Sequence, residues 1–205
     1  TRAGLQVHPG NDPAVMPVPE TTYQSNGLPW ANASNTPFRE YKHWVHEGGI
    51  SSPLIAHWPR GIRGRGEWTS QVGHLVDIMA TCVDLAGARY PRVFRGNRIT
   101  PMEGVTLRSV FSGQAPTERA VFFEHEGNRA VRLGRWKLVS RAETDPFAWW
   151  GKGDPGAGSW ELFDMEADRT ETRDLAPTRP DLVRSMAELW SQWARRAHAL
   201  PYPED

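Results

Sequence analysis

Lys42 is the residue in this sequence whose type and setting point most directly to chemistry. It stands just ahead of Glu47-Gly48-Gly49, in the run Arg39-Glu40-Tyr41-Lys42-His43-Trp44-Val45-His46-Glu47-Gly48-Gly49. Paired glycines let the backbone approach another group closely or take positive φ. A lysine beside such a bend can hold a compact charge in a cleft, where its natural partner is an oxyanion such as sulfate, phosphate or carboxylate. The chain has only three lysines, Lys42, Lys137 and Lys152, among 24 cationic residues, so one in this setting stands out. Spacing alone also fits a solvated lysine beside an ordinary turn, the commoner case.

Three other clusters carry reactive types. His43, His46 and Glu47 form His-x-x-His-Glu, which matches neither order of the zinc-protease motif. The two histidines read as solvated or cleft-lining rather than as ligands, and the sequence offers no metal-ligand set. Glu124-His125-Glu126 puts a histidine between carboxylates at a strand end, where it can titrate near neutrality and touch a substrate, or simply face solvent. Gly151-Lys152-Gly153-Asp154-Pro155-Gly156 satisfies Gly-x-Gly-x-x-Gly, but no helix follows it to complete a phosphate cradle. It reads as a surface loop.

The elements that must position these residues fall into three segments. Residues 1–37 are rich in Pro, Gly, Asn and Ser, lack either hydrophobic period, and read as an ordered loop or linker. Residues 38–117 begin with the reactive run. Pro53-Leu54-Ile55-Ala56-His57-Trp58 follows as a short apolar run expected to form a buried parallel strand. Next comes a helix capped by Asp77, with Ile78, Thr81/Cys82 and Leu85 on its apolar face, ended by Gly87. Strand followed by helix implies a layered α/β sheet. Residues 118–205 change character: Ala120–Phe123, Ala130–Leu133, Trp136–Val139 and Trp160–Phe163 read as four strands, with a tight hairpin at Gly134-Arg135. A final helix from Pro180 carries Leu182, Met186, Leu189, Trp193 and Ala197 as one stripe. The fold class is therefore α/β, with a small α+β subdomain built from a four-stranded antiparallel sheet and one long C-terminal helix.

Composition removes several function classes. Acidic and basic residues balance at 24 each, so no broad field attracts nucleic acid or an anionic membrane. No run approaches the ~20 apolar residues of a membrane span. The single cysteine, Cys82, excludes an internal disulfide and a cysteine zinc cluster, and its helical setting marks it as a core residue. Ten tryptophans suit sheet packing, or a wall for sugars and aromatic rings. Thr1 is no initiator methionine and no signal-peptide pattern follows it, so the chain reads as cut from something longer.

Arg39-Glu40-Tyr41-Lys42, then Glu47-Gly48-Gly49, Pro53 and Trp58-Pro59, resembles the C-terminal signature of the sulfatase (arylsulfatase) family of the alkaline phosphatase superfamily. The likeness continues through His74–Thr81 and Leu85-Ala86-Gly87, Glu126–Arg132, Gly134–Leu138, Trp160–Asp164, Glu171 and Asp174-Leu175-Ala176. It covers most of the chain from Leu28 onward. The resemblance implies that Lys42 is catalytic and binds the sulfate of a monoester carried by a small molecule or glycan. It implies a formylglycine nucleophile, made from Cys or Ser in Cys/Ser-x-Pro-x-Arg, and a divalent cation, usually calcium, held by Asp and Asn. Cys82-Val83-Asp84-Leu85-Ala86 lacks that motif, and no Asp-Asn pair precedes the lysine. Nucleophile and metal ligands are therefore expected in a missing N-terminal part of the same protein, and the isolated chain is expected to be inactive.

Trp30, Asn32 and His125 are candidates for lining the mouth of the pocket. Asn32-Ala33-Ser34 is also a glycosylation sequon, relevant only in a eukaryotic secretory setting. The family resemblance points to a periplasmic or secreted location. Two other readings stay open: a phosphodiesterase or phosphonate monoester hydrolase of the same superfamily, and a non-catalytic tryptophan-rich binding module.

Overall fold

The computed structural model describes residues 1–13, 15, 19–25, 27–62, 64, 66–114, 118–142 and 158–200. The Gly151–Gly156 loop with Lys152, and Trp149-Trp150, lie outside the described residues. In chain order the elements are β1 (His8–Pro9), β2 (Thr22–Tyr23), α1 (Gly27–Ser34), α2 (Glu47–Ile50), α3 (Val76–Leu85), β3 (Val93–Phe94), β4 (Asn97–Arg98), α4 (Arg108–Phe111), β5 (Ala120–His125), β6 (Asn128–Leu133), β7 (Trp136–Ser140), β8 (Trp160–Asp164) and α5 (Pro180–Arg196). They divide into two compact units, Thr1–Ser52 with Phe122–Asp205, and Pro53–Val121. Among the described residues, no helix is long and apolar enough to cross a membrane.

The first unit is built on the expected sheet, ordered β5-β6-β7-β8. The β6–β7 ladder closes at Leu133 opposite Trp136. Gly134 takes φ +55°, which a two-residue hairpin needs and glycine supplies without strain. Strand β8 is antiparallel to β7. On its other side the amide of Leu162 donates to the Asp174 carboxylate (2.9 Å) and its carbonyl accepts from Leu175 (2.8 Å). That loop pairs what would otherwise be an open sheet edge.

Helix α5 covers the sheet. Its buried line is Met186, Trp190 and Ala194, and the Trp190 indole donates to the Phe123 carbonyl at 3.0 Å. The stripe read from sequence is thus displaced: Met186 is central, Leu182, Leu189 and Trp193 are half-buried beside it, and Ala197 is exposed. Trp193 stacks on Phe122 with ring centroids 5.1 Å apart, while the Arg129 guanidinium lies over Trp160 at 4.4 Å. Trp160, Trp190 and Trp193 therefore serve packing.

Three local expectations are corrected. Helix α1 lies inside the segment read as loop. It buries no residue, and the side chains of Asn32, Ser34 and Asn35 donate to the carbonyls of Leu28, Trp30 and Ala31. A helix satisfied by its own polar side chains leaves no apolar period to detect. Residues 53–58 form no strand, and Ile55 is 89% exposed. A parallel strand is stable only between paired neighbours, and among the described residues none pairs with this run. Helix α3 ends at Gly87 (φ +59°) as expected, but it buries Asp77, Ala80 and Thr81, not Ile78 and Leu85, and Cys82 is exposed.

The polar face of α3 wins because it organises the Pro53–Val121 unit through hydrogen bonds. The Asp77 carboxylate accepts from the amides of His74 (2.8 Å) and Val105 (2.9 Å) and pairs with Arg119. The Thr81 hydroxyl donates to the Asp77 carbonyl (2.6 Å) and accepts from the Leu107 amide (2.9 Å).

Candidate functional site

The bend that carries Lys42 is held from beneath. Val45 enters the core with Ala130, Val139, Phe163 and Met165. Trp44 is buried, with the Arg141 guanidinium 5.4 Å from its ring centre and Arg141 in turn paired with Glu40. The Gly48 amide donates to the Arg39 carbonyl at 2.8 Å. A Cβ on Gly48 would lie 2.0 Å from the Glu40 carbonyl oxygen, and one on Gly49 would lie 2.0 Å from that of Trp44. Close backbone approach, rather than positive φ, is therefore why both positions are glycine. The bend they permit is the short helix α2, not a turn into a strand.

Buried charges fix this bend to the sheet. Lys137 on β7 is fully buried, and its ammonium contacts Glu47 at 3.0 Å and Glu171 at 2.7 Å. Glu171 also accepts the Glu47 amide proton at 2.8 Å. Burial alone would raise the Glu47 carboxyl, but the charge and hydrogen bond of Lys137, with Arg132 and Arg169 nearby, hold it below its ordinary value. Alongside, His46 meets Glu161 on β8 at 3.1 Å, and Arg39 meets the same carboxylate at 3.2 Å. The His46 hydrogen bond and the Arg39 charge lower the Glu161 carboxyl to about 2, against the opposing effect of burial.

His46, read from sequence as solvated or cleft-lining, is instead a structural anchor, and so is Glu47. Sequence reasoning missed this network. Its one signal was a lysine in a strand otherwise apolar and buried, Trp136-Lys137-Leu138-Val139, since a buried lysine demands a carboxylate.

The predicted site residues sit as follows. Lys42 is exposed at the tip of the bend, and among the described residues it forms no ion pair. Trp30 is on α1 and 70% exposed. Asn32, also on α1, is half-buried with its amide committed to the Leu28 carbonyl at 3.0 Å. His125 is exposed at the end of β5, its ring centre 6.0 Å from that of His43, the neighbour of Lys42. The structure thus brings His125 to the Lys42 bend, and records no contact of Trp30 or Asn32 with either. A groove lined by Ala56, His57, Trp58, Pro59 and Ile62 contains none of the four.

Among the described residues, the side chains present do not fit the two groups that the family resemblance implies. Calcium takes six to eight oxygen ligands, whereas the cluster of ligating side chains among the described residues is His43, His125 and Glu126. Cys82 lies in α3 without the Pro and Arg that formylglycine formation needs.

No family profile matches the chain. Curated relatives do. An uncharacterized sulfatase of Schizosaccharomyces pombe is 27% identical over 87% of this chain and 31% of its own length. An N-acetylgalactosamine-6-O-sulfatase of Bacteroides thetaiotaomicron is 24% identical over 84% of this chain and 33% of its own length. The mouse N-acetylgalactosamine-6-sulfatase is 34% identical over 53% of this chain and 20% of its own length. The chain spans about a third or less of the length of these relatives.

Among solved structures, one from work on glycosaminoglycan metabolism by Bacteroides thetaiotaomicron superimposes with TM-score 0.61 at 21% identity, over 76% of this chain and 31% of that one. Ps i-CgsB, solved also with k-i-k-neocarrahexaose, does so at 0.59 and 22% identity, over 78% of this chain and 32% of that one. In sequence and in fold, the chain is thus similar to the C-terminal portion of sulfatases.

Proposed function

We propose that this chain is the part of a carbohydrate sulfatase that supplies a sulfate-binding cation, Lys42. The observation carrying the proposal is the contrast within one bend. Trp44, Val45, His46 and Glu47 are buried and tied to the sheet, while Lys42 among them is left exposed. A side chain held out by so much buried structure is pre-organised for a ligand. An ammonium so placed offers three donors to the oxygens of a sulfate ester and stabilises the charge they gain as the ester bond breaks.

The sugar part of the reading rests on the relatives, two of which are named for N-acetylgalactosamine sulfate, and on the oligosaccharide complex of one structural neighbour. In this reading the nucleophile, a formylglycine, and a divalent cation, calcium by family resemblance, come from residues outside these 205. The chain's own contribution is to bind and orient the anionic ester. Alone it turns over no sulfate ester.

In the complete protein, Lys42→Ala is expected to lower kcat/KM for a sulfated sugar by about 10²–10³ with an unchanged unfolding midpoint. Near-normal turnover would remove Lys42 from the site. Faster turnover of a phosphate diester than of any sulfate ester would move the protein to the phosphodiesterase reading.

A further inference from the structure

We propose that His43, His125 and Glu126 form a binding site for a divalent transition metal of the zinc class, beside Lys42 and independent of the sulfatase reading. One nitrogen from each imidazole and one oxygen of Glu126 lie within 4.8 Å of one another. The His43 Nδ1 already faces the Glu126 carboxylate. A tetrahedral ion bonded at about 2.0–2.2 Å keeps its ligand atoms a little over 3 Å apart, so small side-chain rotations suffice to enclose one. Two imidazoles and one carboxylate are the donors that zinc-class ions prefer, whereas calcium and magnesium take oxygen.

The scaffold beneath these side chains is built in an unusual way. His43 has φ +95° and Glu126 φ +53°, left-handed conformations that a residue with a Cβ rarely adopts. Glu126-Gly127 is the two-residue loop joining β5 to β6, where asparagine or glycine would sit with less strain. Buried Asn128 staples the two ligand-bearing segments together. Its amide donates to the carbonyls of His43 (3.2 Å) and His125 (3.0 Å), and its oxygen accepts from the Ala142 amide (3.1 Å). Backbone that is strained yet held by a buried side chain places the three donors on one small patch. The exposure of His125 and Glu126 leaves the remaining coordination position open to water or to an anionic oxygen.

The test is calorimetric titration of ZnCl₂ into the untagged 205-residue chain, in a buffer that does not chelate the ion, with far-UV circular dichroism as the check on folding. One equivalent should bind. His125→Ala and Glu126→Gln should each weaken that binding at least tenfold, while His57→Ala, in the other unit, should leave it unchanged. Co²⁺ in place of zinc should give the visible absorption of a low-coordinate nitrogen and oxygen site, lost in His125→Ala. Absence of a stoichiometric binding event, equal affinity in the His125 and Glu126 variants and the parent chain, or tighter binding of Ca²⁺ than of Zn²⁺ would each overturn the proposal.

Discussion

At the scale of single residues, the Lys42 bend depends on atoms that a one-carbon change displaces. Gly48→Ala would put its Cβ 2.0 Å from a main-chain oxygen, which no side-chain rotation relieves. The expected cost is at the upper end of, or beyond, the ~1–3 kcal/mol of ordinary overpacking, read as a lower urea midpoint. Lys137 is the other sensitive point. Lys137→Ala leaves Glu47 and Glu171 buried against each other, and losing one partner of a buried ion pair costs about 3–5 kcal/mol. Combining Lys137→Met with Glu47→Gln and Glu171→Gln should recover most of that loss, since no buried charge then goes unpaired. If the triple variant is as unstable as Lys137→Ala, the charges are not what destabilises it.

At the scale of elements, β8 joins the small sheet to the reactive bend through Glu161. Its carboxyl titrates at about 2 in the folded chain, against an ordinary value of 4.5. As pH falls below 4.5 the unfolded chain takes up the proton first. The stabilisation from Glu161 is therefore complete above pH 4.5 and is lost progressively toward pH 2. The difference in urea midpoint between the parent chain and Glu161→Gln should shrink across that window; a difference independent of pH would deny Glu161 this role. The four strands and α5 were legible because their apolar residues alternate, or recur at helical spacing, against a core the chain itself provides. Helix α1 and residues 53–58 were not. The first is stabilised by its own polar side chains, and the second has apolar side chains but no paired neighbour.

At the scale of the whole chain, the Pro53–Val121 unit holds together through Asp77, Thr81 and Arg119 and leaves Leu54, Ile55, Trp68, Leu75 and Met79 exposed. So many exposed large apolar side chains predict association. The 205-residue chain alone should bind an apolar dye and scatter light increasingly with concentration. Ile55→Lys with Met79→Lys should reduce both, with stability changed by no more than about 0.5 kcal/mol.

Read alone, the amino-acid order determined the sheet, the covering helix, the family resemblance and the singling out of Lys42, because each is written in local spacing or in a contiguous motif. Tertiary structure alone decided that Glu47, Lys137 and Glu171 meet, that His46 reaches Glu161, and that His43 comes to lie beside His125 and Glu126. These partners are far apart along the chain, and only the close approach of the glycine-rich bend to β6, β7 and β8 makes their charges neighbours.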